Sequence, residues 1–361
     1  MEQPVLAADA RYAPAQARLS GFARALAAEA KADLPLLTII LIYAGAVAAA
    51  CWLLGRPHFY HPLIYMGAFV PALVMALLSW FVFIEVPSAI ISDWRRPMRS
   101  FLTRARRHSA ARIIAGLALI AAAWVFLGAF TSAKSLANDL VPFHADRLLA
   151  DVDAALHLGV DPWRLIQPLM GHHGVTRVIQ KLYLSGWAML LMGFIVAAAL
   201  SARLAHVRTR FFLTYFASWI VLGNLMAVLF MSGGPVYFGE LTGDHARFAD
   251  QMGYLAFSDG MAKSSYTLQH TLWELYSSGR VYIGTGISAF PSLHVAMVTL
   301  FALAAFEVDR RLGWAMTAFA AVIFLGSVHL AWHYAIDGYV SAAFVAAVWF
   351  GLRRLELRRA A

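Results

Sequence analysis

The residues best suited to chemistry in this chain are two histidines and a carboxylate. Phe290-Pro291-Ser292-Leu293-His294 opens one apolar segment, and His329-Leu330-Ala331-Trp332-His333-Tyr334-Ala335-Ile336-Asp337 closes the next. Polar side chains at the ends of hydrophobic spans are costly to keep unless they are used. His333 and Asp337 are four residues apart, a spacing that brings a carboxylate to one imidazole nitrogen and leaves the other as a nucleophile. His294 adds a titratable ring and Ser292 a hydroxyl, at a helix start where Pro291 suits the first turn. Backbone N–H groups and the positive dipole end at such a start favour a bound anion. His329, four before His333 and so on the same helical face, contacts a substrate phosphate, sets the protonation of its neighbour, or is a buried structural residue. The set favours phosphoryl transfer at a membrane surface.

Two other classes compete. His329 and His333 form HxxxH, and His172-His173 with Asp337 complete a possible donor set for a membrane metalloenzyme. A transporter is the other rival, but transporters favour broken helices at mid-membrane in paired halves. The sequence shows no such pairing.

Apolar helices must position these side chains. Of 361 residues, 61% are hydrophobic and 14% charged, against roughly 45–50% and 25% in soluble domains. An all-α polytopic membrane protein is therefore expected. Stretches of roughly 17–25 apolar residues fall near Leu34–Leu54, Pro62–Ile84, Ile113–Ser132, Leu182–Leu200, Phe211–Met231, Pro291–Val308, Gly313–Trp332 and Ile336–Leu352, about eight spans. Arginines crowd the second connection (Arg95, Arg96, Arg99, Arg104, Arg106, Arg107), the fourth (Arg203, Arg208, Arg210), the sixth (Arg310, Arg311) and the C-terminus. Positive-inside bias then puts every even connection and both termini in the cytoplasm. His294 and His333 meet on the periplasmic or lumenal side. The net charge of +9 fits these blocks and anionic headgroups, so no nucleic-acid partner is expected. Cys51, the single cysteine, lies in an apolar run and reads as a packed hydrophobe.

The chain divides into a cytoplasmic amphipathic arm over 1–33, with Leu19, Phe22 and Leu26 among Arg18, Arg24 and Lys31, and two peripheral spans with a basic loop over 34–110. A catalytic core follows over 111–352, then a basic tail over 353–361. The start, Met1-Glu2-Gln3-Pro4, is too polar for a signal peptide. Two external connections are long. The first, 133–176, holds Asp146, Arg147, Asp151, Asp153, His157 and Asp161 between apolar residues such as Leu148-Leu149 and Leu156, a spacing that suggests a short amphipathic helix on the outer leaflet followed by a break at Gly159 and Pro162. The other, 232–289, carries Gly233-Gly234-Pro235, Gly284 and Gly286 and is expected to fold over the site as a lid.

These residues resemble the type 2 phosphatidic acid phosphatase superfamily, whose second and third motifs read PSGH and SRxxxxxHxxxD. Pro291-Ser292-Leu293-His294, His333 to Asp337, and Gly233-Gly234-Pro235 look like its inositol phosphorylceramide synthase-like branch. The resemblance implies a six-helix phosphatase-like core, with His333 attacking phosphorus, Asp337 orienting it and His294 as acid and then base. Ser292, Gly233, Gly234 and the nearby backbone would bind substrate. The implied partners are a lipid phosphate or phospholipid donor and a lipid alcohol acceptor, with no metal or organic cofactor. Two departures stand out. Neither Arg56-Pro57 nor Arg96-Pro97 has the lysine seven before its arginine that the first motif, KxxxxxxRP, requires, and Ser327 stands where the third motif has arginine. Another cation must neutralise the phosphate, from among Lys134, Arg147, Lys181, Arg247, Lys263 and Arg280. Arg280, nearest the Gly284 to His294 turn, is favoured, with Lys181 and His329 beside it as substrate contacts.

Overall fold

The computed structural model describes residues 13–100, 110–258 and 264–360, and Lys263 and the basic residues 104, 106 and 107 lie outside them. Among the described residues there is no strand. Helices α1 (Ala13–Leu53), α2 (Met66–Ser92) and α3 (Ala110–Leu140) come first. Two short helices follow, α4 (Asp146–Leu156) and α5 (Pro162–Met170), then α6 (His173–Leu200) and α7 (Ala202–Leu229). The remainder is α8 (Ala249–Ser258), α9 (Ser265–Ser277), α10 (Leu293–Phe306), α11 (Arg310–His329) and α12 (Ala335–Ala360).

Among the described residues, seven helices are long and apolar enough to cross a membrane: α1, α2, α3, α6, α7, α11 and α12. The chain is an all-helical polytopic membrane protein. The sixth expected span, α10, has only 14 residues, about 21 Å at 1.5 Å per residue against a hydrocarbon core of about 30 Å. It is short because Ser292 caps it at one end and the chain turns at Glu307 to Asp309 at the other, where the Asp309 carboxylate accepts from the N–H groups of Arg311 (2.7 Å) and Leu312 (3.3 Å). Its middle is fully enclosed. Met297, Leu300, Phe301 and Ala304 are buried, and Phe301 stacks on Phe194 of α6 at 4.6 Å.

The N-terminal helix differs from the expected arm. Instead of ending near Asp33, α1 continues through Pro35 into the first span. Asp33 and Glu29 pair with Arg208 at the foot of α7, at 2.8 and 3.1 Å, and this contact holds the start of α1 against the bundle. Arg210 likewise pairs with Glu307 and Glu356 and lies over Trp349. These contacts all lie at the end of the bundle opposite the two histidines.

The histidine end is covered by the two long connections. The described part of the glycine-bearing stretch 232–289 carries the helices α8 and α9, whose glutamines hold backbone carbonyls of the bundle. Gln251 donates to the carbonyls of Val328 (2.8 Å) and His329 (3.2 Å), and Gln269 to that of Leu330 (2.8 Å). Both amides are thus fixed on the turn between α11 and α12.

Candidate active site

His333 owes its position to a sharp reversal after α11. The helix ends at His329, Ala331 adopts a left-handed φ of 59°, and the N–H groups of Trp332 and His333 both donate to the Ser327 carbonyl at 3.0 and 3.2 Å. Ser327, at the arginine position of the third motif, contributes backbone here and turns its hydroxyl to the Phe324 carbonyl (2.7 Å). Asp337 sits in the first turn of α12, where the helix dipole favours a carboxylate. Its Oδ2 accepts from His333 Nδ1 and from the Tyr334 N–H, each at 3.1 Å, and the side chain is fully buried. The imidazole is therefore held by one nitrogen, with Nε2 uncommitted.

His294 lies in the first turn of α10. Its ring is sandwiched by Tyr183 at 4.3 Å and Trp187 at 4.1 Å, and Trp187 Nε1 donates to the His294 carbonyl at 3.1 Å. Tyr183 belongs to a π-helical stretch, Leu182–Gly186, whose wider turn re-aims the side chains of α6. The rings of His294 and His333 are 6.4 Å apart and line one cavity of about 480 Å³. Lys134 of α3 enters the same cavity. Gly286, at φ 92°, lets the lid backbone lie against the lysine stem, where a β-carbon would meet its Cγ at 2.7 Å. Asn138, one turn further on, grips Ile287 through both N–H and carbonyl (2.5 and 2.7 Å), which fixes that lid segment over the lysine.

Several expected substrate contacts point elsewhere. Ser292 is buried and its hydroxyl accepts from the Val295 N–H (3.4 Å) as the helix cap, so Pro291 precedes the first turn instead of occupying it. Gly233 lines the cavity, but its N–H and that of Gly234 are taken by the Asp146 carboxylate at 2.9–3.2 Å. His329 is buried behind the site, with Nε2 against the Thr176 hydroxyl at 3.0 Å, and is absent from the cavity wall. Arg280 is exposed with Nε donating to the Ser278 hydroxyl, and Lys181 is exposed; neither lines the cavity. Arg147 donates to the Thr242 carbonyl, and Arg247 is engaged by Asp151, Asp161 and the Ala150 carbonyl. The HxxxH pair is split, since His329 faces Thr176 while His333 faces the cavity. Among the described residues no three His, Cys, Asp or Glu side chains gather as a metal site.

The structure adds residues whose roles the sequence did not single out. Asp146 and Asp153, on what reads as the polar face of α4, are each only 2% exposed. Asp146 accepts from Gly233, Gly234 and the Tyr334 hydroxyl (2.9 Å); Asp153 accepts from the N–H groups of Ala335 (2.8 Å) and Ile336 (2.9 Å). Burial pushes both carboxyls above the ordinary aspartate range, against the pull of those donors. Together they fasten the His333 turn to the glycine turn. Lys134, one of six candidate cations, carries a signal of its own, because it stands seven residues before Val141-Pro142. That is the spacing of the first motif, KxxxxxxRP, but with valine where the motif has arginine.

Residues 147–351, more than half of the chain, match the PAP2 superfamily. The chain belongs to that superfamily. No curated protein and no solved structure gives a match. Membership brings a lipid-phosphatase type of function to a membrane protein whose paired histidines sit at the end of the bundle. Lys134 lies outside the matched residues, on the helix just before them.

Proposed function

We propose that this PAP2 protein is a lipid phosphoesterase that works through a phosphohistidine and passes the phosphoryl headgroup to a lipid alcohol. One observation carries the reading: His333 Nδ1 is engaged by Asp337 at 3.1 Å while its ring stands 6.4 Å from that of His294 across a shared cavity. In the first step His333 Nε2 forms the N–P bond as the P–O bond to the departing alcohol breaks, and His294 delivers a proton to that oxygen. In the second step His294 takes the proton of the acceptor hydroxyl, whose oxygen displaces His333 from phosphorus. Asp337 fixes the tautomer and supports the charged ring. Lys134 supplies the positive charge that the phosphoryl oxygens need in place of the missing arginine.

A lipid acceptor is favoured over water by the apolar walls beside the histidines, formed by Trp187, Leu268, Leu272 and Ile283. The PSLH form of the second motif points the same way. A site on the non-cytoplasmic side is the reading supported by the positive-inside bias, since Arg208, Arg210, Arg310 and Arg353 all lie toward the opposite end of the bundle.

The test is purified protein in vesicles with a panel of phospholipid donors and acceptor alcohols, the products read by mass spectrometry. A new phosphorylated lipid that grows with acceptor concentration is expected. Free phosphate or a free phosphorylated headgroup, indifferent to acceptor, assigns water as the acceptor and removes the transferase half of the proposal.

A further inference from the structure

We infer that the catalytic cavity takes one apolar chain of the substrate inside the protein, and that Ala188 and Met192 of α6 set the chain length it accepts. The assignment rests on the phosphoesterase reading for its catalytic meaning. Its structural basis is the shape and chemistry of the cavity. Along α3 the wall runs from Lys134 down to Trp124, ten residues or about 15 Å of helix, which is one leaflet's share of a hydrocarbon core about 30 Å thick. The upper end holds Lys134, His294 and His333; the lower end is lined by Trp124, Leu191 and Met192. A space with one charged end and one apolar end matches an amphiphile.

Packing does not account for such a space. Protein interiors are filled to crystal-like density and keep few voids larger than a water molecule. This one measures about 480 Å³ and its walls are predominantly apolar, a poor setting for ordered water, which needs several polar partners. At roughly 30 Å³ per water-sized group, it accommodates about 16 such groups, enough for one long chain and too few for two. At the rim Ile283 and Leu268 are 45% and 37% exposed, giving an apolar entrance at the level of the lid. Ala188 is the smallest side chain in the α6 wall, one turn above Met192, so a large residue there divides the cavity.

The experiment measures binding of ω-bromoalkyl phosphates, from ethyl to decyl and below their micelle concentrations, by quenching of tryptophan fluorescence. Turnover of the unbrominated esters and of long-chain lipid phosphates is followed beside it. Affinity is expected to climb about fourfold per methylene, the equivalent of ~0.8 kcal/mol for each buried group. Ala188→Trp should cut the decyl-to-ethyl affinity ratio at least tenfold, and Met192→Ala should extend the climb to longer chains. Because each variant is read as a ratio, partial loss of folded protein does not imitate the effect. Affinity independent of chain length, or ratios unchanged in both variants, overturns the inference even if every ester is turned over. Chain-dependent binding without turnover of any phosphate ester leaves the cavity assignment standing and sinks the phosphoesterase reading.

Discussion

Among the described residues, Lys134 is the one lysine or arginine that lines the cavity shared by His294 and His333. In the proposed mechanism it supplies the charge that balances a phosphoryl group in flight. Lys134→Met keeps the stem that packs under Gly286 and removes only the charge. It should lower kcat/KM by about 10²–10³-fold, the scale seen when one charge-stabilising donor is lost, with no matching loss of thermal stability; steady-state kinetics beside a melting curve checks both. Spacing makes His294, His333 and Asp337 readable, because each lies in a motif that fixes its neighbours. It misleads at His329. The helical-face argument assumes continuous helix from 329 to 333, whereas the helix stops at His329 and the left-handed Ala331 turns His333 toward the cavity. Lys134 does not stand out from the other cations because a search anchored on Arg-Pro cannot find a site where valine precedes the proline.

At the scale of elements, α10 carries His294 on a helix start, and Ser292 holds that start together without facing the cavity. Ser292→Ala should therefore cost about 1 kcal/mol of stability, as loss of a helix cap does, and leave kcat within roughly tenfold of wild type, well short of the ~10²–10⁴-fold that a proton-transfer group contributes. Thermal unfolding and turnover of the same preparation give the two numbers, and a loss of activity far beyond the loss of stability would return the hydroxyl to the phosphate. The long apolar helices are legible because an uninterrupted apolar run of roughly twenty residues matches the thickness of a bilayer and little else. The helices of the lid are not. Their stability depends on Gln251 and Gln269 reaching carbonyls some sixty or more residues away in sequence, and no local pattern announces that. For the same reason the polar face of α4 reads as an outer-leaflet surface, although Asp146 and Asp153 are buried against the turns they hold.

For the whole molecule, the seven long helices and the short α10 bring both long connections and both histidines to one end, and Arg208, Arg210 and Arg310 to the other. Which end faces the cytosol can be read by labelling. Ser277 in the lid and Arg353 in α12 are both exposed, while the native Cys51 is buried. In intact cells an impermeant maleimide should modify Ser277→Cys and spare Arg353→Cys, and the reverse pattern would invert the proposed sidedness.

The phosphohistidine itself gives the most direct measurement. Purified protein is mixed with a lipid phosphate carrying an isotopic label, quenched in alkali where N–P bonds survive, and digested for mass spectrometry. The account predicts labelled phosphoryl on the peptide containing His333, formed and discharged at the rate of turnover and absent in His333→Ala. Steady turnover with no label on that peptide, or undiminished activity in His333→Ala, would contradict it.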